Sequence, residues 1–292
     1  MNRAAAGWCF SLPAMLLIAM FFLLPVVAAL LLSFTDFDLY ALADPANLRL
    51  VGLDNYRKLL TTPIFWQALG NTAWFVVLGV PLSLLASLGA ALLLDSQLAR
   101  FKPLLRTALF APVVTTLVAV ALVWRYLFHA RYGLLNELLA HLGVGAVDWL
   151  GDPDWAMPSI VLLAVWKNFG YNMIILLAAL QAIPEDLYEA ARLEGAGTLG
   201  RLRHITLPLL APTLALVGIV TVSGYFQLFT EPYVMTQGGP LQSTVSVLYY
   251  MFEQGFSYWK LGYAASVAFV LFALVLLFTA LQLRLTRRLG QS

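Results

Sequence analysis

Residues 189–208, EAARLEGAGTLGRLRHITLP, concentrate ionisable side chains in a chain that is otherwise mostly apolar: Glu189, Arg192, Glu194, Arg201, Arg203 and His204. Carboxylates and guanidinium groups about one helical turn apart, set among alanine and glycine, suit docking chemistry. The small residues let another backbone approach, and a neighbouring charge fixes its orientation through a charge-assisted hydrogen bond. The same residues do not suit catalysis. Neither G-x-S-x-G nor H-E-x-x-H occurs, nor any comparable catalytic spacing. A Gly-x-x-x-x-Gly-Lys-Ser/Thr loop is also missing, and none of the four lysines (Lys58, Lys102, Lys167, Lys260) follows a glycine. The chain therefore has no P-loop to cradle nucleotide phosphates. A single cysteine, Cys9, excludes an intramolecular disulfide, and with only three histidines a zinc or iron–sulfur site is not expected.

A second set of polar residues lies inside apolar runs. Lys167 interrupts the stretch from Met157 to Ile183, with Asn168, Tyr171 and Asn172 close by. A lysine near the centre of a spanning helix costs about 2.5–3.5 kcal/mol on insertion scales, so it must face protein or water. With Tyr171 one turn away, the cluster can form a hydrogen-bonding wall for a hydroxylated solute. The structural alternative is that Lys167 bonds neighbouring carbonyls or reaches the interface along its apolar stem. Further on, SGYFQLFTEP offers Ser223, Tyr225 and Gln227. Amides and an aromatic face suit a sugar, while tyrosines near helix ends also serve as interfacial anchors.

The elements that must carry these groups are membrane spans. The composition is 61% hydrophobic and 11% charged, where soluble proteins carry about 25% charged residues. The net charge of +2 does not suggest a nucleic-acid partner. A spanning helix needs about 20 apolar residues, and the uncharged runs predict six, near 11–33, 72–94, 106–128, 158–182, 208–230 and 262–284. The first is longer than a signal-peptide core and lacks a clean cleavage site, so it is expected to be retained. The fold expected is all-α: one polytopic domain over 1–292, with longer connections near 34–71, 129–157 and 231–261.

Charge orients the spans. With the N-terminus inside, ten basic residues (Arg3, Arg100, Lys102, Arg106, Arg192, Arg201, Arg203, Arg284, Arg287, Arg288) fall on the cytoplasmic side. Six (Arg49, Arg57, Lys58, Arg125, Arg131, Lys260) fall outside, in longer segments. The positive-inside rule therefore places both termini and the 189–208 segment in the cytoplasm. Within that segment Pro184 suits the first position of a helix, followed by Glu185 and Asp186 at its positive end. Leu187, Ala190 and Ala191 share a face, and Gly195 suits a left-handed end. Thr198 is expected to cap a second short helix with Leu199, Leu202 and Ile205 on one side, and Pro208 and Pro212 mark the return to the membrane. The result is a helix–turn–helix elbow over 184–205.

Glu189-Ala190-Ala191, Gly195-Ala196, Ile205, Leu207-Pro208 and Pro212 resemble the EAA signature of binding-protein-dependent ABC transporter permeases, with Glu194 where the family usually has Asp. VGLDNY (51–56), WKNFGYNMIILLAALQAIP and FTEPYVMTQGGP (229–240) are similar to other parts of its carbohydrate and glycerol-3-phosphate importer branch. The resemblance implies that the elbow is a coupling helix seated in a cleft of a separate ATPase subunit, through Glu189, Ala190, Ala191, Arg192, Glu194, Gly195, Ala196, Ile205 and Pro208. It implies two copies of that ATPase, which bind ATP and magnesium so that this chain holds no cofactor and is not itself an enzyme. It further implies a second, non-identical permease subunit, an extracytoplasmic solute-binding protein, a carbohydrate substrate and a bacterial-type inner membrane. The rival reading is a secondary transporter driven by an ion gradient. That would call for a carboxylate at the centre of a span, and none of the fifteen acidic residues is expected there.

Overall fold

The computed structural model describes residues 3–96 and 100–289, with the side chains of residues 3–7, Cys9 and 285–289 left out of the description. Arg3, Arg287 and Arg288, which entered the charge bias, thus lie outside the described side chains. In chain order the helices are α1 (Arg3–Ile18), α2 (Leu24–Leu32), α3 (Leu39–Ala43), α4 (Asp54–Thr61), α5 (Pro63–Asp95), α6 (Lys102–Val114), α7 (Leu117–Leu127) and α8 (Leu134–His141). There follow α9 (Pro153–Gln181), α10 (Glu185–Leu193), α11 (Thr198–Arg201), α12 (Leu207–Tyr225), α13 (Thr230–Met235), α14 (Val247–Phe252) and α15 (Leu261–Leu289). Extended pairing among the described residues is limited to one isolated bridge, Thr35 to Leu50. The chain divides into two compact units, residues 1–66 with 250–274, and residues 67–249 with 275–292.

In the first unit, α1 and α2 join through a π-helical turn at Ala19–Leu23 to make the first span. Its described side chains from Phe10 to Ala28 are all exposed, as a surface meant for an apolar surrounding would be. Asn55 and Tyr56, from the VGLDNY stretch, tie down the end of this span. The Asn55 amide donates to the Ser33 and Thr35 carbonyls at 2.9 and 2.7 Å, and the Tyr56 and Ser33 hydroxyls meet at 2.7 Å. Gly262 brings α15 onto the same corner: its N–H donates to the Phe37 carbonyl at 2.8 Å. A Cβ there would lie 2.3 Å from the Thr35 carbonyl oxygen, so only glycine fits.

The second unit is built on α5, α9 and α12, whose apolar faces meet at Ala91, Met173, Leu176, Leu210 and Val217. Helix α5 has 33 residues, about 50 Å at 1.5 Å per residue, against an apolar bilayer core of about 30 Å. It starts at Pro63 rather than at the expected 72 because its first turns are used for other contacts. Asn71 donates to the Gln242 and Val245 carbonyls at 2.9 and 3.0 Å.

Two further spans depart from expectation. The third, expected as continuous over 106–128, is broken between α6 and α7 by a bend of 100°. Pro112 supplies no N–H to the helix, and Thr115 turns its hydroxyl back onto the Pro112 carbonyl at 2.6 Å while its backbone becomes extended. The fifth ends at Tyr225, not 230; residues 226–227 form a turn and 228–229 are irregular before α13 begins.

Candidate functional site

A cavity of about 370 Å³ opens between α9, the end of α12, the α6–α7 break and α13. Of the seven intramembrane polar residues singled out in the sequence, six line it: Lys167, Asn168, Tyr171, Asn172, Tyr225 and Gln227. Ser223 does not; its carbonyl accepts from Gln227 Nε2 at 3.2 Å.

Helix periodicity explains the convergence. Lys167, Asn168, Tyr171 and Asn172 lie at i, i+1, i+4 and i+5 on α9, a stripe along one side of the helix. Asn172 is buried and binds its neighbours, donating to Thr221 Oγ1 on α12 at 3.0 Å and lying 3.5 Å from Ser83 Oγ on α5. Lys167 Nζ donates to the Val113 carbonyl at 3.0 Å. That carbonyl is in the last turn of α6, where the break removes the helical donors that would otherwise serve it. The lysine thus fulfils the structural alternative and lines the cavity as well. Gly170 lets α6 come close: a Cβ there would stand 2.3 Å from the Leu109 carbonyl oxygen.

Tyr225 is held against α5, its ring 4.9 Å from that of Phe75. Gly79 makes room for it, since a Cβ at that position would meet the Tyr225 ring at 2.7 Å. The Tyr225 hydroxyl is buried and makes no hydrogen bond among the described residues, although the Ser83 and Asn168 side chains approach it.

The elbow is a separate feature of the same unit. Helix α10 starts at Glu185, with Pro184 at the capping position before it rather than at the first helical position. Its end matches expectation. Gly195 has φ +82°, its N–H donates to the Arg192 carbonyl at 3.0 Å, and the Ala196 N–H donates to the Ala191 carbonyl at 2.8 Å. These two bonds form a Schellman closure. Gly197, not Thr198, occupies the cap of α11, and α11 runs through a π-helical stretch at Leu202–Thr206 directly into α12. The second elbow helix and the fifth span are therefore one helical rod, Thr198–Tyr225. The Tyr188 hydroxyl meets Thr206 Oγ1 at 3.0 Å and ties α10 to that rod.

No residue of α10 is buried. Leu193 is 91% exposed and Leu199 77%, an unusual apolar display on a charged elbow. Glu189, Glu194 and Ala190 are exposed, Ala191, Ala196 and Ile205 half-buried, and Pro208 exposed at the start of α12. Glu189 makes no ion pair or hydrogen bond among the described residues. Arg192 is 3.9 Å from Glu185 with both side chains largely in solvent, which contributes little. Behind the elbow a cavity of about 800 Å³ is lined by Asp95, Glu185, Tyr188, Arg192, Arg201 and Thr206, among others.

Residues 4–291 match the family described as the binding-protein-dependent transport system inner membrane component. The chain belongs to this family of ABC transporter permeases. It is 35% identical to the sulfoquinovosyl glycerol transport system permease protein of Agrobacterium fabrum, over 94% of this chain and 88% of that one. It is 36% identical to the lactose transport system permease protein of Rhizobium radiobacter, over 94% and 92% respectively. Its fold matches a chain of a bacterial alginate ABC transporter solved with an alginate pentasaccharide-bound periplasmic protein. That match has a TM-score of 0.81 and 19% identity, and covers 100% of this chain and 97% of the other.

As a multi-pass inner-membrane permease, the chain has one charged cavity residue that sequence reasoning missed. Glu231 was assigned to the connection after span five, yet it is buried in α13 and lines the cavity with Lys167. Its opposite charge acts on that lysine. The absence of a buried carboxylate is therefore no ground for setting aside an ion-driven carrier; family membership disfavours that reading instead. The apolar spacing of 208–230 hid the early end of α12. The available signal was the Glu-Pro pair itself, since proline is welcome in the first turn of a new helix.

Proposed function

We propose that this permease forms part of the path by which a saccharide crosses the membrane, and that its elbow at 184–205 transmits the work of a separate ATPase. One observation carries the reading. The rod that ends in Tyr225 at the polar cavity begins in the elbow, so a push on the elbow moves a wall of the cavity. The cavity offers amides, phenols and an aromatic face, the groups that bind hydroxylated rings, and its volume lies within the range of small-molecule sites. The relative named for lactose, an uncharged sugar, supports a carbohydrate substrate.

In this mechanism two copies of the ATPase bind ATP with magnesium and carry out hydrolysis, so the permease needs no cofactor and catalyses no reaction itself. An extracytoplasmic binding protein delivers the solute, and a second, non-identical permease subunit completes the path. Both termini lie on the cytoplasmic side. Closure of the ATPases carries the elbow with it, and the rods exchange inward for outward access as rigid bodies. Glu189 anchors the elbow through an ion pair supplied by the ATPase. Truncating one member of a desolvated charge pair costs about 2–5 kcal/mol.

The test uses Leu193→Cys in a Cys9→Ser background, within the complete importer in native membranes. A short bifunctional thiol cross-linker should join this position to the ATPase subunit, and Glu189→Arg should remove both the adduct and solute-stimulated ATP hydrolysis. Adduct and hydrolysis at the unmodified level in Glu189→Arg would refute the docking role.

A further inference from the structure

We propose that the cavity accepts uncharged polyhydroxylated solutes and discriminates against anionic ones, with Glu231 as the residue that sets the choice. This rests on the reading that the cavity is a solute site, and goes on to name its substrate class.

Lys167 and Glu231 are the two charged side chains among the described residues lining the cavity. They are 8% and 7% exposed, so water screens neither well. Their charges sum to zero. Lys167 gives one of its three N–H donors to the Val113 carbonyl, and its charge is offset by the Glu231 carboxylate. A uronate, sulfonate or phosphate entering here would bring a second anion to Glu231, against a single cation whose charge already balances that carboxylate. Recognition of such groups ordinarily uses a free guanidinium or ammonium. A neutral sugar meets no such obstacle. Asn168, Tyr171 and Gln227 present donors and acceptors.

The repulsion can be sized. Two like charges roughly 8 Å apart at an effective dielectric constant near 20 repel enough to weaken binding about thirtyfold, and attraction to Lys167 offsets part of that. Removing the carboxylate reverses the balance. Glu231→Gln keeps shape and hydrogen bonding but leaves Lys167 as a buried, uncompensated cation, which an anionic solute would neutralise.

The experiment uses the complete importer in lipid nanodiscs without its binding protein, so that delivery does not set the specificity. Binding is measured by calorimetry against neutral mono- to trisaccharides and against uronic acids and sugar phosphates of matched size. The wild type should bind a neutral saccharide at least about tenfold more tightly than its anionic counterpart. Glu231→Gln should shift that ratio about tenfold or more toward the anion, and Lys167→Met combined with Glu231→Gln should abolish the shift. Equal wild-type affinity for both classes, a measurement that needs no variant, would overturn the inference and leave the solute site standing. So would an unchanged ratio in an assembled Glu231→Gln importer. Failure of an intact wild-type importer to bind any saccharide would overturn the site reading itself, and the inference with it.

Discussion

Replacing Gly195 separates a backbone role for the elbow from a packing role. Its φ of +82° places it in the left-handed region, and the two hydrogen bonds of the Schellman closure depend on that conformation. A Cβ at Gly195 would meet nothing within 4 Å, so no steric clash within the chain adds to the cost. What remains is the left-handed penalty, about 1–2 kcal/mol for alanine and more for a β-branched residue, while asparagine tolerates the region better. Helix α10 buries no side chain, so the loss falls on the order of the elbow and not on the fold as a whole. A change of this size is a factor of about 5–30 in an equilibrium. In the proposed mechanism, the apparent affinity of the permease for its ATPase subunit should weaken by up to that factor. The affinity should decrease in the order glycine, asparagine, alanine, valine. Titrating purified ATPase into nanodisc-held permease, with solute-stimulated hydrolysis as readout, measures it, and melting temperature checks the fold. Wild-type affinity in Gly195→Val would refute the reasoning. Equal losses for asparagine and alanine would also refute it, since they would indicate side-chain volume rather than φ.

Three further outcomes follow from the second unit. Gly170→Ala should destabilise the protein by about 1–3 kcal/mol, because its Cβ would press on the Leu109 carbonyl; a melting temperature equal to wild type would contradict the close approach of α6 and α9. Asn172→Leu should cost less, about 0.6–2 kcal/mol, the range for hydrogen bonds between membrane helices; a larger loss than Gly170→Ala would reverse that ranking. Tyr188→Phe removes the hydroxyl tying α10 to the rod, so solute-stimulated hydrolysis should fall although one hydrogen bond adds only about 0.5–1.5 kcal/mol to stability. Unchanged stimulation in that variant would show that the tie transmits nothing.

The sequence made the helices legible where a single physical rule governs them. Uncharged length located the spans, and glycine after an amphipathic run located the left-handed end at Gly195, because no other residue adopts that conformation at so little cost. The α6–α7 break was harder to see. Pro112 is also compatible with a kinked but continuous helix, and only the adjacent Thr115 back-bond and extended backbone turn the kink into a 100° bend. The four polar residues that α9 brings to the cavity were legible from their helical spacing, and Tyr225 and Gln227 from their types at the end of span five. Glu231 was not, since its burial depends on α13 folding back onto α7 and α9, a tertiary contact with no periodic signature in six residues.

The energetic interest of the rod lies in where it is regular and where it is not. From Thr198 to Tyr225 it spans 28 residues, about 40 Å at helical rise, and most of that length is α-helix that resists bending. The exception is the π-helical stretch at Leu202–Thr206, where hydrogen-bond geometry is poorer and a small rotation costs least. Tyr188 of α10 bonds to this stretch at Thr206, and Thr206 in turn leans on the Arg201 carbonyl at 3.4 Å. In the proposed mechanism a rotation introduced there is carried along the rod, past the hydrogen bond that Pro212 removes, to Tyr225 at the far end. At that end Phe75 and Gly79 hold the ring against α5, and the wall of the cavity must either carry α5 along or slide past it. A Cβ at position 79 would overlap the Tyr225 ring and force it from its seat against α5, and Gly79→Ala should therefore impair solute-stimulated turnover more than it impairs assembly.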